Sequence, residues 1–233
     1  MNFFYSPSIT EGTFPLPEEE AHHAASVLRS KAGDRIGILD GKGTSAVAEI
    51  VSIDRKKCAV KVITKEIFPP ERAAHIHIAV GLTKQIDRFE WFVEKAVEIG
   101  VDRITPLFTQ RTERSKLRTD RLHRVMIAAM KQSQRKWLPQ LDEAMSLKEL
   151  FGTDLPLQRY FGWCEGDHRS LKELYDRNSD ALVVIGPEGD LSPEEAELLI
   201  GKQFAAISIG AARLRTETAA IAACTWMSLA QQR

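Results

Sequence analysis

The sequence predicts an α/β protein, a parallel sheet covered by helices on both faces, preceded by a small antiparallel β-barrel. Three observations carry this. The apolar run Ala181-Leu182-Val183-Val184-Ile185 breaks at Gly186-Pro187-Glu188-Gly189, and a second run, Ala205 to Ile209, breaks at Gly210. Each is followed by a helical pattern, and short apolar runs that alternate with helices read as buried parallel strands. The first 66 residues instead hold β-branched segments separated by polar turns, the pattern of antiparallel strands. Between the two, Phe68-Pro69-Pro70-Glu71-Arg72 interrupts regular structure. A first domain is therefore expected over 1–68 and a second over 74–233.

In the first domain, Phe3 to Tyr5, Arg35 to Leu39, Ser45 to Ile53 and Cys58 to Thr64 read as strands, rich in Val47, Ile50, Val60 and Val62. Asp40-Gly41-Lys42-Gly43 is a hairpin turn; it lacks the longer glycine spacing and the Ser or Thr after lysine that a phosphate-binding loop needs. Glu18 to Ser30 is helical, with Ala21, Ala24, Ala25 and Leu28 toward one face. His22 and His23 are adjacent and point to different sides of that helix, so they do not share a metal.

In the second domain, Ile76 to Leu82 is a strand, Asp87 caps a helix in which Phe89, Phe92, Val93 and Ala96 recur at helical spacing, and Gly100 ends it. Ile104 to Phe108 is a strand, Asp120 to Lys136 a helix, and Leu157 to Trp163 another strand. Ser146-Leu147-Lys148-Glu149, Ser170-Leu171-Lys172-Glu173 and Ser192-Pro193-Glu194-Glu195 have the form of capping boxes, the last with proline at the first helical position. The closing helix, Ala219 to Ala230, is apolar nearly all round. Ile221, Trp226, Met227 and Leu229 spread over more than one of its faces, which leaves two readings: a core helix enclosed by its own domain, or a helix shared with a second copy of the chain.

With 233 residues, 43% hydrophobic and 27% charged, the chain has the composition of an ordinary soluble protein, and no apolar run approaches the length of a membrane span. No signal peptide is expected, because the N-terminus lacks a basic start followed by an apolar stretch. Cys58, Cys164 and Cys224 lack metal-ligand spacing, which fits reduced thiols, a cytoplasmic location and no metal site. Net charge is formally zero, which argues against a nonspecific polyelectrolyte binder. The cations are nonetheless clustered: Arg111, Arg114, Lys116, Arg118, Arg121 and Arg124, then Lys131, Arg135, Lys136 and Trp137. Phosphate contacts with base stacking and a solvated helix face both fit that run.

Ligands of parallel sheets sit beyond the carboxyl ends of the strands, where both glycine loops fall. Glycine lets backbone N–H and C=O groups approach a ligand closely. Gly186-Pro187-Glu188-Gly189, with Ser192 and Glu195 downstream, Ile209-Gly210, and Leu214-Arg215-Thr216-Glu217-Thr218-Ala219 resemble the ribosomal RNA small subunit methyltransferase E family, within the SPOUT class of RNA methyltransferases. The resemblance extends to His22-His23, Val27-Leu28-Arg29 and Gly33-Asp34, to Glu94-Lys95-Ala96-Val97-Glu98-Ile99-Gly100-Val101 with Pro106-Leu107, and to Gln132-Ser133 and Arg135 before Leu138-Pro139.

The resemblance implies a SPOUT-like parallel sheet with a C-terminal trefoil knot and a PUA-like RNA-binding barrel. It implies S-adenosylmethionine as cofactor, held by Leu82, Ile185, Gly186, Pro187, Glu188, Gly189, Ile209, Gly210, Leu214, Thr216 and Thr218. It further implies 16S rRNA or the small ribosomal subunit as partner, contacted by His22, Arg29, Arg111, Arg114, Lys116, Gln132 and Arg135, and a homodimer; neither membrane nor DNA is expected as a partner. The expected reaction is methylation of uridine N3, whose proton must leave. Glu217, as base or orienter, and Arg215, as the cation for phosphate or the developing anion, are the catalytic candidates. Two plainer readings stay open: Glu217 favouring a positive helix N-terminus, and Arg215 pairing with Glu188. Ribose 2′-O-methylation and an inactive RNA-binding assembly factor are the competing functions. Asp190-Leu191 stands where family members often have Gly-Phe, and Ala212, followed by Arg213, where many have arginine.

Overall fold

In the computed structural model, which describes residues 1–232, the N-terminal strands are β1 (Phe3–Tyr5), β2 (Thr13–Pro15), β3 (Arg35–Leu39), β4 (Thr44–Ile53) and β5 (Cys58–Ile67). They pair in the order β1-β3-β4-β5-β2, with β1 parallel to β3 and the other pairings antiparallel. Phe4, Phe14, Ile38, Ile50 and Val60, from all five of these strands, share one core with Ala21 and Ala24. A flat sheet could not bring its two edge strands to one core, so this sheet curls. β2 escaped the sequence reading because three residues between Gly12 and Pro17 carry no alternation. The turn at 40–43 forms because Asp40 Oδ1 accepts from Lys42 N at 2.7 Å and Thr44 N at 2.8 Å, while Gly41 and Gly43 adopt φ of 70° and 93°.

The helix expected over Glu18 to Ser30 is shorter. It comprises α1 (Glu18–His22) and a π-helical turn over His23–Val27, and Arg29 then turns left-handed at φ 54°. This compact unit holds Met1–Glu71 and also Ile127–Leu138. The latter segment, expected within the second domain, is pinned to the first by Lys131 Nζ to Glu20 Oε1 at 2.6 Å and by Gly43 N to Lys136 O at 2.9 Å. A Cβ on Gly43 would lie 2.5 Å from the Trp137 ring, so glycine is required there by packing as well as by φ.

The other unit comprises Arg72–Met126 and the described chain from Pro139. Its elements are β6 (Ile76–Gly81), α2 (Ile86–Ile99), β7 (Arg103–Phe108), the start of α3 (Thr119–Ser133), β8 (Gln140–Leu141), β9 (Met145–Ser146), α4 (Leu147–Leu150), β10 (Gln158–Gly162), α5 (Leu171–Leu174), β11 (Ala181–Ile185), α6 (Pro193–Gly201), β12 (Ala205–Ile207) and α7 (Thr216–Gln231). The strand order is β12-β10-β11-β6-β7-β8, with β9 also on β7, and all these pairings are parallel. β6 and β11 are buried at every residue, as continuous apolar strands covered on both faces must be. α2 packs against α7, and α7 against β6 and β11.

Several boundaries differ from expectation for local reasons. Gln85, not Asp87, caps α2; Asp87 sits inside its first turn, where a carboxylate favours the helix dipole. Gly100 ends that helix at φ 95°, as expected. α3 stops at Ser133, short of Lys136. Capping boxes form at Ser146 and Ser192 but not at Ser170, whose hydroxyl donates to Glu173 Oε1 at 3.0 Å while Arg169 draws on the same carboxylate. α7 begins at Thr216, one turn before the apolar stretch Ala219 to Ala230. Met227 is fully buried on it, whereas Trp226 and Leu229 remain 39% and 55% exposed.

Strands β6 and β7 carry a buried polar chain. Thr105 Oγ1 donates to Asp142 and therefore accepts from His77 Nε2 at 2.7 Å, and Arg103 Nε donates to Asp142 Oδ2 at 2.8 Å. Burial, seconded by the Arg103 charge and opposed by Asp142, lowers the His77 imidazole to about 3. Among the described residues no helix is long and apolar enough to cross a membrane, and no His/Cys/Asp/Glu group could hold a metal.

Candidate active site

Beyond the carboxyl ends of β10, β11 and β12 opens a cleft of about 710 Å³. That volume lies within the usual range for a small-molecule pocket. Ile185, Gly186, Pro187 and Glu188 form the wall after β11; Ile209 and Gly210 form the wall after β12; Leu214, Arg215 and Thr216 lead into α7. Leu82, Gly189 and Thr218 do not line it. Leu82 is buried, Thr218 is exposed on α7, and Gly189 faces Arg111, whose Cβ lies 3.2 Å from where a glycine Cβ would be.

The loop after β11 is held in place by backbone contact. A Cβ on Gly81, at the end of β6, would lie 2.5 Å from Pro187 N, and one on Gly186 would lie 2.8 Å from Leu191 N. Neither position admits a side chain without moving backbone. Asp190 takes φ 62°, a left-handed conformation unusual for a residue with a Cβ. Its Oδ1 accepts from Leu191 N at 2.8 Å and its Oδ2 from Cys164 N at 3.3 Å. The carboxylate thereby ties the loop after β11 to the loop after β10.

That third wall, with Trp163, Cys164, Gly166, Asp167 and His168, was missed in the sequence. Its signal was present: Gly166 follows the strand ending at 162, the same strand-then-glycine form as the two loops that were recognised. Burial and the Asp190 carboxylate push the Cys164 thiol up, which disfavours its thiolate form.

Glu217 lies on the first turn of α7 and is 8% exposed. Its Oε1 is 4.0 Å from Arg88 Nε, and its Oε2 is buried without a hydrogen-bond partner. A buried, unpartnered carboxylate oxygen is costly and marks a group that awaits a donor. Arg88 Nη1 also lies 3.9 Å from Glu188 Oε1, and Lys84 N donates to both Glu188 oxygens at 3.1 Å. Glu188 is thus served by Arg88 rather than by Arg215, which caps α7 from an exposed position on the cleft wall. Arg88 was missed in the sequence. It stands one residue after the Asp87 chosen as cap, on the first turn of a helix that follows a strand end.

The clustered cations divide by partner. Arg111 Nη1 donates to Gly189 O at 2.8 Å and Leu191 O at 3.0 Å, and Arg114 Nη2 to Lys84 O at 3.0 Å. Arg118 and Arg124 pair with Asp120, and Arg121 with Glu90. Arg114 and Lys116 line a second, open cleft of about 350 Å³ with Lys84, Glu113 and Ser115. In the N-terminal unit, His22, Arg29 and Gln132 are exposed, whereas Arg135 is engaged by Glu71.

Residues 70–228 match the family model of an RNA methyltransferase domain, and residues 16–63 that of an RNA methyltransferase PUA domain. A crystal structure described as a probable rRNA-methyltransferase from Porphyromonas gingivalis is 37% identical, covering 100% of this chain and 99% of that one with a TM-score of 0.91. A Legionella pneumophila methyltransferase structure with the bound cofactor SAM is 27% identical, over 98% and 97% of the two chains, with a TM-score of 0.90. The ribosomal RNA small subunit methyltransferase E of Rickettsia conorii is 28% identical over 91% of this chain and 87% of its own. With a domain match over most of its length and a PUA domain before it, the chain belongs to the RNA methyltransferase family.

Proposed function

We propose that this protein transfers the methyl group of S-adenosylmethionine to N3 of a specific uridine in 16S rRNA. The observation that carries the reading is a cleft formed by the loops after three parallel strand ends, next in the chain to a buried carboxylate with one oxygen lacking a donor. The residues present fit the cofactor. Gly186, Glu188, Gly210 and Leu214 line the cleft and would offer main-chain groups to a nucleoside edge, with Ile185 and Ile209 as apolar wall and Thr216 as a hydroxyl. When bound, S-adenosylmethionine supplies an electrophilic methyl on a sulfonium.

Uridine N3 carries a proton at neutral pH. Glu217, next in the chain to the cleft-lining Thr216 though not itself on the cleft wall, has in Oε2 a buried oxygen without a donor that would take it once the substrate reaches it. Arg88 holds the carboxylate from its other oxygen. Arg215, at the start of α7, is placed to meet a phosphate or the charge that develops on the uracil. RNA is engaged through Arg114 and Lys116 in the large unit and through His22, Arg29 and Gln132 in the barrel unit.

Three features complete the proposal. After β12, at the sheet edge, the chain returns to pack α7 on the central β6 and β11, a path that supports the C-terminal trefoil knot. The exposed Trp226 and Leu229 of α7 support a homodimer. A small-subunit RNA substrate supports a cytoplasmic location. Glu217→Gln tests the chemistry: it should cut methyl transfer roughly 100-fold or more, with the affinity for S-adenosylmethionine unchanged in calorimetry. Full activity in that variant removes Glu217 from the reaction.

A further inference from the structure

The basic stretch after β7 and the glycine loop after β11 are joined by more than proximity. The aliphatic stem of Arg111 lies on Gly189, where an added Cβ would be 3.2 Å from Arg111 Cβ and 3.4 Å from its Cδ. Its guanidinium then reaches past the glycine, and Nη1 donates to both Gly189 O and Leu191 O. One residue earlier, Gln110 N donates to Glu195 Oε1 at 2.8 Å. Glu195 is itself buried and closes the capping box that starts α6, its Oε2 accepting from Ser192 N at 2.9 Å. The stretch 110–111 thus fixes both ends of the segment that runs from the cleft wall into α6.

We propose that Arg111 is a positioning residue for the cofactor loop rather than a phosphate ligand. This rests on the reading of the large cleft as the S-adenosylmethionine pocket. The two carbonyls that Arg111 holds belong to the turn whose preceding residues, Gly186 to Glu188, form the pocket wall, and the left-handed Asp190 lies between them. Without the guanidinium, the turn loses its outer brace and the wall no longer waits in its binding geometry. Binding must then supply the ordering, which lowers affinity. The same brace makes the cofactor loop and the cationic loop one unit, so occupancy of either stiffens the other, and the coupling is reciprocal.

The test compares Arg111→Ala, Arg111→Lys and, as a control for loss of one surface cation, Arg124→Ala. Calorimetry should show the affinity of Arg111→Ala for S-adenosylmethionine lowered roughly tenfold, as for loss of charge-assisted hydrogen bonds. Arg111→Lys should be intermediate, since it keeps the stem on Gly189 but offers a point charge in place of a fork. Arg124→Ala should bind as wild type. Amide exchange over 186–191 should accelerate in Arg111→Ala without ligand, while the salt slope of RNA binding stays at its wild-type value. Unchanged exchange and unchanged cofactor affinity, with a slope reduced by about one, would make Arg111 a phosphate contact and overturn the proposal. Faster exchange in the variant, with no cofactor binding even by wild type, would keep the brace and reject the pocket assignment.

Discussion

The two glycine loops at the sheet's carboxyl edge look alike in the sequence, each an apolar run broken by glycine, yet they are built differently. The loop after β11 is braced on every side: Gly186 against Leu191 and Asp190, Pro187 against Gly81, Glu188 against Lys84 N, Gly189 and Leu191 against Arg111. The loop after β12 has an exposed run from Gly210 to Arg213, and a Cβ on Gly210 would meet nothing within 4 Å. Gly186 is required by the protein's own packing, and a Cβ on Gly189 would press on the Arg111 stem. Gly210 is not so required, since its position is open. One loop is a wall preformed by the protein's own contacts; in the other, the proposed cofactor role is what would give Gly210 its reason.

That contrast can be broken most forcefully at Gly186. Gly186→Ala drives a Cβ into backbone, and overpacking of this kind should cost about 2 kcal/mol and lower Tm by roughly 5 °C, with cofactor binding lost. A stable Gly186→Ala protein that binds normally would show the wall to be less constrained than its contacts imply. Gly210→Val is the complementary change. Its Tm should stay within about 2 °C of wild type, since an open position costs within ~0.5 kcal/mol, while S-adenosylmethionine binding should fall at least tenfold. Equal losses of stability at the two glycines would erase the distinction between the loops.

A pH measurement separates both loops from the sheet beneath them. The folded-state imidazole of His77, at about 3, lies below its unfolded value of 6.5. The unfolded chain therefore binds a proton between those values that the folded one does not. Stability is complete above pH 6.5 and falls as pH drops toward 3, at up to about 1.4 kcal/mol per pH unit from this group. Denaturant melts should show His77→Gln flattening that slope, and Gly210→Val leaving it unchanged. The smallest effect concerns Asp190. Asp190→Gly removes left-handed strain of about 1 kcal/mol but also the tie to Cys164 N, so Tm should move by no more than ~3 °C while cofactor affinity falls a few-fold. A rise in affinity would mean that the carboxylate obstructs the cleft.

Period and punctuation explain how much was legible beforehand. β11 was readable because burial on both faces leaves an unbroken apolar run, β6 because its run is broken only by His77, and Gly100 because a helix end needs its left-handed φ. The glycine loops that hold Glu188 and Gly210 were pointed to by the rule that strand ends carry ligands, and Arg215 by the family resemblance; all three line the cleft. What could not be read was set by long-range partners. The segment 127–138 lies in the N-terminal unit through contacts with Glu20 and Gly43, about a hundred residues away in sequence. Arg111 was indistinguishable from its cationic neighbours until Gly189 and Leu191 were seen beneath it. Arg88 lacked a pattern strong enough to stand out from its helix, whereas the β10 loop carried the strand-then-glycine signal at Gly166 and was passed over.

The claim at the centre of this account is methyl transfer to uridine N3. Small-subunit particles and free 16S rRNA from a strain lacking the modification should be incubated with the protein and labelled S-adenosylmethionine, then digested and separated as nucleosides by mass spectrometry. The account predicts label in 3-methyluridine at one position. Label in a 2′-O-methylated nucleoside, or none in RNA despite normal cofactor binding, would contradict it.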